Sequence, residues 1–173
     1  MTASELMNRL NSDPEWVRRQ QERESARKAM ESQLTAEEAP ILADLANAGY
    51  SVNSVWDFVN TKLSYPTAIP VLCKHLKLPY HPKIREGIAR ALTVKEARGI
   101  AGYEVLDELK RRANESPDEA RWMLANALTV IADASMIDDI KRLLEDSRYT
   151  PERGVLRRAL KKASAKQRRC KPA

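Results

Sequence analysis

Three stretches of this chain align with one another without gaps, and that internal repeat constrains the fold more than any other feature. They are Ile84-Arg85-Glu86-Gly87-Ile88-Ala89-Arg90-Ala91-Leu92, then Ala120-Arg121-Trp122-Met123-Leu124-Ala125-Asn126-Ala127-Leu128, then Glu152-Arg153-Gly154-Val155-Leu156-Arg157-Arg158-Ala159-Leu160. Their Ala-Leu pairs start at positions 91, 127 and 159, so the spacing is 36 and then 32 residues. Each stretch follows a proline, at Pro82, Pro117 and Pro151. Proline is well suited to a first helical turn, where the missing amide has no partner to lose. Ser116 and Thr150 are predicted to cap two of these helices.

Each stretch is preceded by a second set of apolar residues at helical spacing: Ile69, Leu72, Leu76; then Val105, Leu106, Leu109; then Ile137, Ile140, Leu143, Leu144. The repeating unit is therefore helix, turn, helix. In the middle unit Ala120, Met123, Leu124, Ala127, Leu128 and Ile131 form one continuous apolar stripe. A lone helical pair cannot cover such a stripe, so neighbouring units must stack on it. Composition agrees: of 173 residues only five are glycine and 5% are aromatic, while 31% are charged, which favours helices over sheets.

Proline, a hydrophobe, arginine and then apolar positions ending in Ala-Leu resemble the second helix of HEAT repeats, over roughly residues 65–163. The resemblance implies an all-α fold: a short right-handed α-solenoid of HEAT-like helical hairpins with an irregular helical N-terminal region. The third unit departs from the pattern, with Glu152 at the hydrophobic position and Arg157 in place of alanine. Those departures either mark a terminal capping unit or set this segment apart from the repeat.

The rest of the chain is organised around that block. Residues 1–34 read as a polar helical arm: a short helix over Glu5 to Leu10, then one from Pro14 to Leu34 with a thin apolar stripe of Trp16, Val17, Ala26, Met30 and Leu34. The arm either docks or stays free. Thr35-Ala36-Glu37-Glu38 has capping-box spacing and predicts a new helix, carrying Ile41, Leu42, Leu45 and Ala46 and ending at Gly49. Ser54 to about Lys62, with Val55, Trp56, Phe58 and Val59, predicts another. Residues 35–64 thus form an irregular capping hairpin, 65–163 three repeats in a solenoid ending at 164, and 165–173 a basic tail expected to be disordered.

Charge is unevenly distributed. Thirty basic and 24 acidic residues give +6, yet Arg153, Arg157, Arg158, Lys161, Lys162, Lys166, Arg168, Arg169 and Lys171 follow one another with no acid between. Apart from Arg153's share in the repeat, this run offers candidate contacts to phosphate, since clustered cations release counterions on meeting nucleic acid. The alternative is a solvated tail, and the absence of aromatic residues from it argues against recognition by base stacking.

Arg85, Arg121 and Arg153 occupy equivalent positions and should form a ladder along the stack. Such arginines either bond to neighbouring turns, the reading preferred here, or line a concave anion-binding surface. Trp122 lies off the apolar stripe and is either packed between repeats or presented as a partner anchor. Trp16, Trp56 and Trp122, with Asp57 after Trp56, also invite comparison with HEAT-like DNA glycosylases, although neighbouring helical positions point about 100° apart.

His75, His81, Cys73 and Cys170 have no metal-ligand or disulfide spacing, and no phosphate-binding glycine loop or nucleophile motif occurs. No catalytic, cofactor or metal residue is therefore assigned. No segment approaches the ~18 apolar residues that would span a membrane, and the two isolated cysteines suit a reducing cytoplasm. The expectation is a cytoplasmic, non-enzymatic scaffold or adaptor whose partner is another protein, with sequence-independent nucleic-acid binding as the alternative and a glycosylase third. The sequence leaves the oligomeric state open.

Overall fold

The threonine expected to cap a new helix lies inside an existing one. A computed structural model describes the backbone of residues 2–170 and the side chains of these except 3, 10 and 166–170. In it α1 (Ala3–Asn11) is followed by a single helix α2 (Pro14–Asn47) that runs through Thr35. Thr35 Oγ1 donates to the Glu31 carbonyl at 2.9 Å instead of accepting from a free amide. No glycine or proline interrupts the chain between Pro14 and Pro40, so nothing forces the helix to end before Thr35. Pro40 lies inside α2 without ending it, at the cost of one backbone hydrogen bond.

Glu38, expected to close the capping box, is buried and engages a later segment instead. Its Oε1 accepts from Ser54 Oγ at 2.8 Å and from the Val55 amide at 2.7 Å. Helix α2 ends as expected, with Gly49 at φ +95° and the Tyr50 amide donating to the Leu45 carbonyl at 2.9 Å.

The helix expected from Ser54 to Lys62 shrinks to one turn, α3 (Asp57–Asn60). The amides of Asn53 and Ser54 donate to Asp57 Oδ2 at 2.8 and 3.3 Å, and that of Val55 to Glu38. Side-chain acceptors thus take the amides that would have opened a longer helix.

Six further helices follow: α4 (Ala68–Leu76), α5 (Pro82–Ala91), α6 (Gly102–Arg111), α7 (Glu119–Ile131), α8 (Ile137–Glu145) and α9 (Arg153–Cys170). Among the described residues all regular structure is helical. Pro82 opens α5 as expected, but α7 starts two residues beyond Pro117. Its cap is Asp118, which accepts from the Arg121 amide at 2.7 Å, and not Ser116. A residue before proline is pushed out of the helical region, so Ser116 stays outside. Thr150 closes a 3-10 turn and donates to the Ser147 carbonyl, and α9 begins at Arg153. Helix α9 also continues beyond Ser164, where the sequence placed the start of the tail; residues 171–173 are outside the described residues.

Packing groups the chain into two units, residues 1–37 and 38–173. In the first, Trp16 and Val17 are half-buried while Met30 is exposed. In the second, α4 packs on α5, α6 on α7 and α8 on α9, and α5 packs on α7, which packs on α9. The core is the apolar stripes read from the repeat: Ile69, Leu72 and Leu76; Ile84, Ile88 and Leu92; Leu124, Leu128 and Ile131; Ile140, Leu156 and Ala159. Gly87 belongs to this packing, since a Cβ there would lie 2.7 Å from Val55 Cγ2 and 3.0 Å from Trp56 Nε1. In the last unit Leu144 and Leu160 are only half-buried and Arg157 is exposed; among the described residues α9 is the last helix.

Candidate functional site

Two of the three aligned arginines reach into the helix pair that follows them. Arg85 of α5 places Nη1 3.8 Å from Glu115 Oε2 and Nη2 3.9 Å from Asp118 Oδ2. Burial, and then the neighbouring Arg112 guanidinium, lowers its pKa from the ordinary arginine value. Arg121 of α7 makes the tighter version. Its side chain is almost wholly buried, Nη1 donates to the Glu115 carbonyl at 2.8 Å, and Nη2 donates to the Arg148 carbonyl and to Glu152 Oε2 at 3.0 Å. The guanidinium also lies 5.4 Å from the Tyr149 ring centre. Arg153 is half-buried at the start of α9, and among the described residues it forms no ion pair.

Glu152 therefore belongs to this arrangement. The residue that departs from the hydrophobic repeat position is the buried anion that receives the arginine of the unit before. A second buried ion pair lies at the end of α6, where Arg112, the residue after the helix, donates through Nε to Glu108 Oε1 at 2.6 Å; Arg111 pairs with the other oxygen of Glu108 at 2.7 Å. The sequence carried a signal for this pair, since Glu108 and Arg112 are four apart and fall within the apolar arc of Val105 and Leu109.

Trp122 is half-buried, which is neither of the two extremes expected for it. With Pro117, Asp118, Glu119, Pro151 and Glu152 it lines an open cavity of about 430 Å3 where the start of α7 meets the segment before α9. Trp56 is placed differently. It packs against Gly87, and the Arg90 guanidinium lies 5.8 Å from its ring centre. Asp57 spends a carboxylate oxygen on the amides of residues 53 and 54. Trp16 belongs to the first unit, where it lines a shallow concavity with Asn11, Val17 and Gln20.

Along α9, Arg157, Arg158, Lys161 and Lys162 are exposed, and among the described residues none of them forms an ion pair. Elsewhere in the second unit, Lys74, Lys77, Arg90, Lys110, Arg111 and Arg148 each sit within 4 Å of a carboxylate. Lys62, Lys83, Lys95 and Arg98 are, among the described residues, as free of ion pairs as those of α9, but they do not follow one another along one helix. The side chains of Lys166, Arg168 and Arg169, also candidate contacts, and Lys171 lie outside the described residues.

His75 is buried, with Nε2 2.9 Å from Asp44 Oδ2 and Nδ1 2.6 Å from the Tyr80 hydroxyl. Lys74, then His75, holds the Asp44 carboxyl below the usual carboxylate range. Both imidazole nitrogens are therefore engaged, one by a carboxylate and one by a phenol. Burial pushes the Cys73 thiol up to about 11, away from the thiolate needed for nucleophilic chemistry. Among the described residues no three His, Cys, Asp or Glu side chains are placed to hold a metal ion, and no helix is long and apolar enough to cross a membrane. Comparison with family models, with curated proteins and with solved structures gives no match to this chain.

Proposed function

We propose that this chain is a non-enzymatic, HEAT-like solenoid module that holds a partner protein against the side formed by α5, α7 and α9. The observation that carries the reading is the packing order, with α5 against α7 and α7 against α9, which is what stacked helix pairs of a solenoid would give. Glu86 and Arg90 of α5, Glu119, Trp122 and Asn126 of α7, and Gly154 and Arg158 of α9 lie outside the core on these helices. Half-buried tryptophan beside an open cavity is the kind of anchor around which protein interfaces concentrate their binding energy.

A photo-crosslinking residue placed at Asn126 tests this in native lysate, with the same residue at Lys141 of α8 as control. Discrete adducts from position 126 alone are the expected result. Equal labelling from both positions, or none at physiological and low salt, defeats the reading.

The unpaired cations of α9 favour a second reading, sequence-independent nucleic-acid binding, because each unpaired cation can displace a counterion from phosphate. Binding to a generic duplex should then weaken steeply with salt. Changing Arg157, Arg158, Lys161 and Lys162 to glutamine should lower the slope of log K against log salt by about 3 to 4. An unchanged slope, or no binding at low salt, rules this reading out.

A further inference from the structure

The cavity beside Trp122 is lined by two prolines, an indole and three carboxylates, with no basic side chain in the lining. The carboxylates differ in their commitments. Asp118 spends Oδ1 on capping α7, with Arg85 at 3.9 Å from Oδ2. Glu119 is exposed and accepts from Arg90 Nη2 at 3.3 Å. Glu152 is buried, gives Oε2 to Arg121, and has no hydrogen-bond partner for Oε1. A buried carboxylate oxygen without a donor is a desolvation cost, but Glu152 Oε1 has almost no accessible surface, so the carboxylate open to a ligand is that of Glu119.

The second unit already seats arginine between an aromatic ring and a carboxylate in two places. Arg90 lies 5.8 Å from the Trp56 ring centre while its Nε donates to Glu86 at 2.8 Å. Arg121 lies 5.4 Å from the Tyr149 ring centre while its Nη2 donates to Glu152 at 3.0 Å. The Trp122 cavity offers the same two components, and among the described residues no cation of this chain stacks on that indole.

The lining pairs an indole with carboxylates, so the cation that suits it is one that can use both. A guanidinium is planar, stacks on an indole and presents forked donors, whereas an ammonium is a compact point charge.

We propose that this cavity binds a guanidinium group, presented as an arginine side chain by the partner protein; the inference rests on the protein-binding reading above. Trp122 supplies the stacking face and Glu119 the carboxylate, with Glu152 buried behind them on Arg121.

Titration of the full chain followed through the Trp122 indole N–H signal, assigned with Trp122→Phe, tests it. The probes are capped Gly-Arg-Gly, capped Gly-Lys-Gly, the capped peptide with neutral citrulline, and free arginine. The arginine peptide should give a saturable shift in the millimolar range and bind about tenfold more tightly than the citrulline peptide. Glu119→Gln, an exposed change outside the core, should weaken it about threefold with an unchanged melting temperature.

No saturable shift up to about 50 mM, or citrulline or lysine peptides binding as well as arginine, overturns the assignment. Free arginine binding more tightly than the capped peptide overturns the partner protein as its source and points to a small molecule. Crosslinks at Asn126 without a guanidinium response would sink the cavity assignment and leave the module reading standing.

Discussion

At the scale of single residues, the second unit is organised by charges taken out of water. Arg121 and Glu152 are both buried, and such a pair gains little over an apolar pair of similar size but leaves an expensive orphan when one partner is removed. Arg121→Ala should therefore cost about 3 to 5 kcal/mol in urea unfolding. The double change Arg121→Met, Glu152→Leu should recover most of that loss. A single variant within about 1 kcal/mol of the parent would show that Arg121 is not a structural member of the ladder. Half of this pair was legible in the sequence, because three aligned arginines announce a shared role. The other half was hidden in the same alignment, where Glu152 looked like a defect of the repeat; an acid at an apolar register position is informative once its partner is one unit away.

At the scale of elements, local signals failed where a side chain found a better partner farther along the chain. The Thr35 capping box is sound chemistry in isolation, yet Glu38 instead holds the segment leading into α3. Two substitutions separate these roles by thermal or urea unfolding. Thr35→Ala should change stability by less than about 0.5 kcal/mol, whereas a true cap would lose about 1. Glu38→Ala should cost about 1 to 3 kcal/mol, because it strips the acceptor from the Val55 amide and the Ser54 hydroxyl. The short α3 and the shifted start of α7 have a related origin: the Asp57 and Asp118 carboxylates capture nearby backbone amides, in the second case in place of Ser116. Apolar periodicity, by contrast, located α4 to α8 well, because burial of a stripe is a property of many residues and survives local rearrangement.

At the scale of the whole molecule, the core holds protons that the unfolded chain would release in alkali. Burial, with Glu96 second, pushes the Tyr65 phenol from 10.0 up to about 12, and Cys73 rises from 9.0 to about 11. Above pH 9 the unfolded chain begins to lose protons that the native state keeps, so stability falls as pH rises. The contribution is complete below pH 9 and is lost between pH 9 and 12. Urea unfolding should show a loss of at least about 2 kcal/mol across that window, with a flatter profile in the Tyr65→Phe, Cys73→Ala double variant. The repeat made the second unit's helices legible, while the cavity beside Trp122 was not, because its walls come from the turn before α7 and the turn before α9.

The forward reach of Arg85 and Arg121 bears on how the chain is made. Each arginine is emitted from the ribosome about 30 residues before the groups that receive it, Glu115 and Asp118 for the first, Arg148 and Glu152 for the second. A growing chain thus carries each guanidinium without its carboxylate until the next pair of helices emerges, and α9, the last element among the described residues, carries exposed cations that find no acid there.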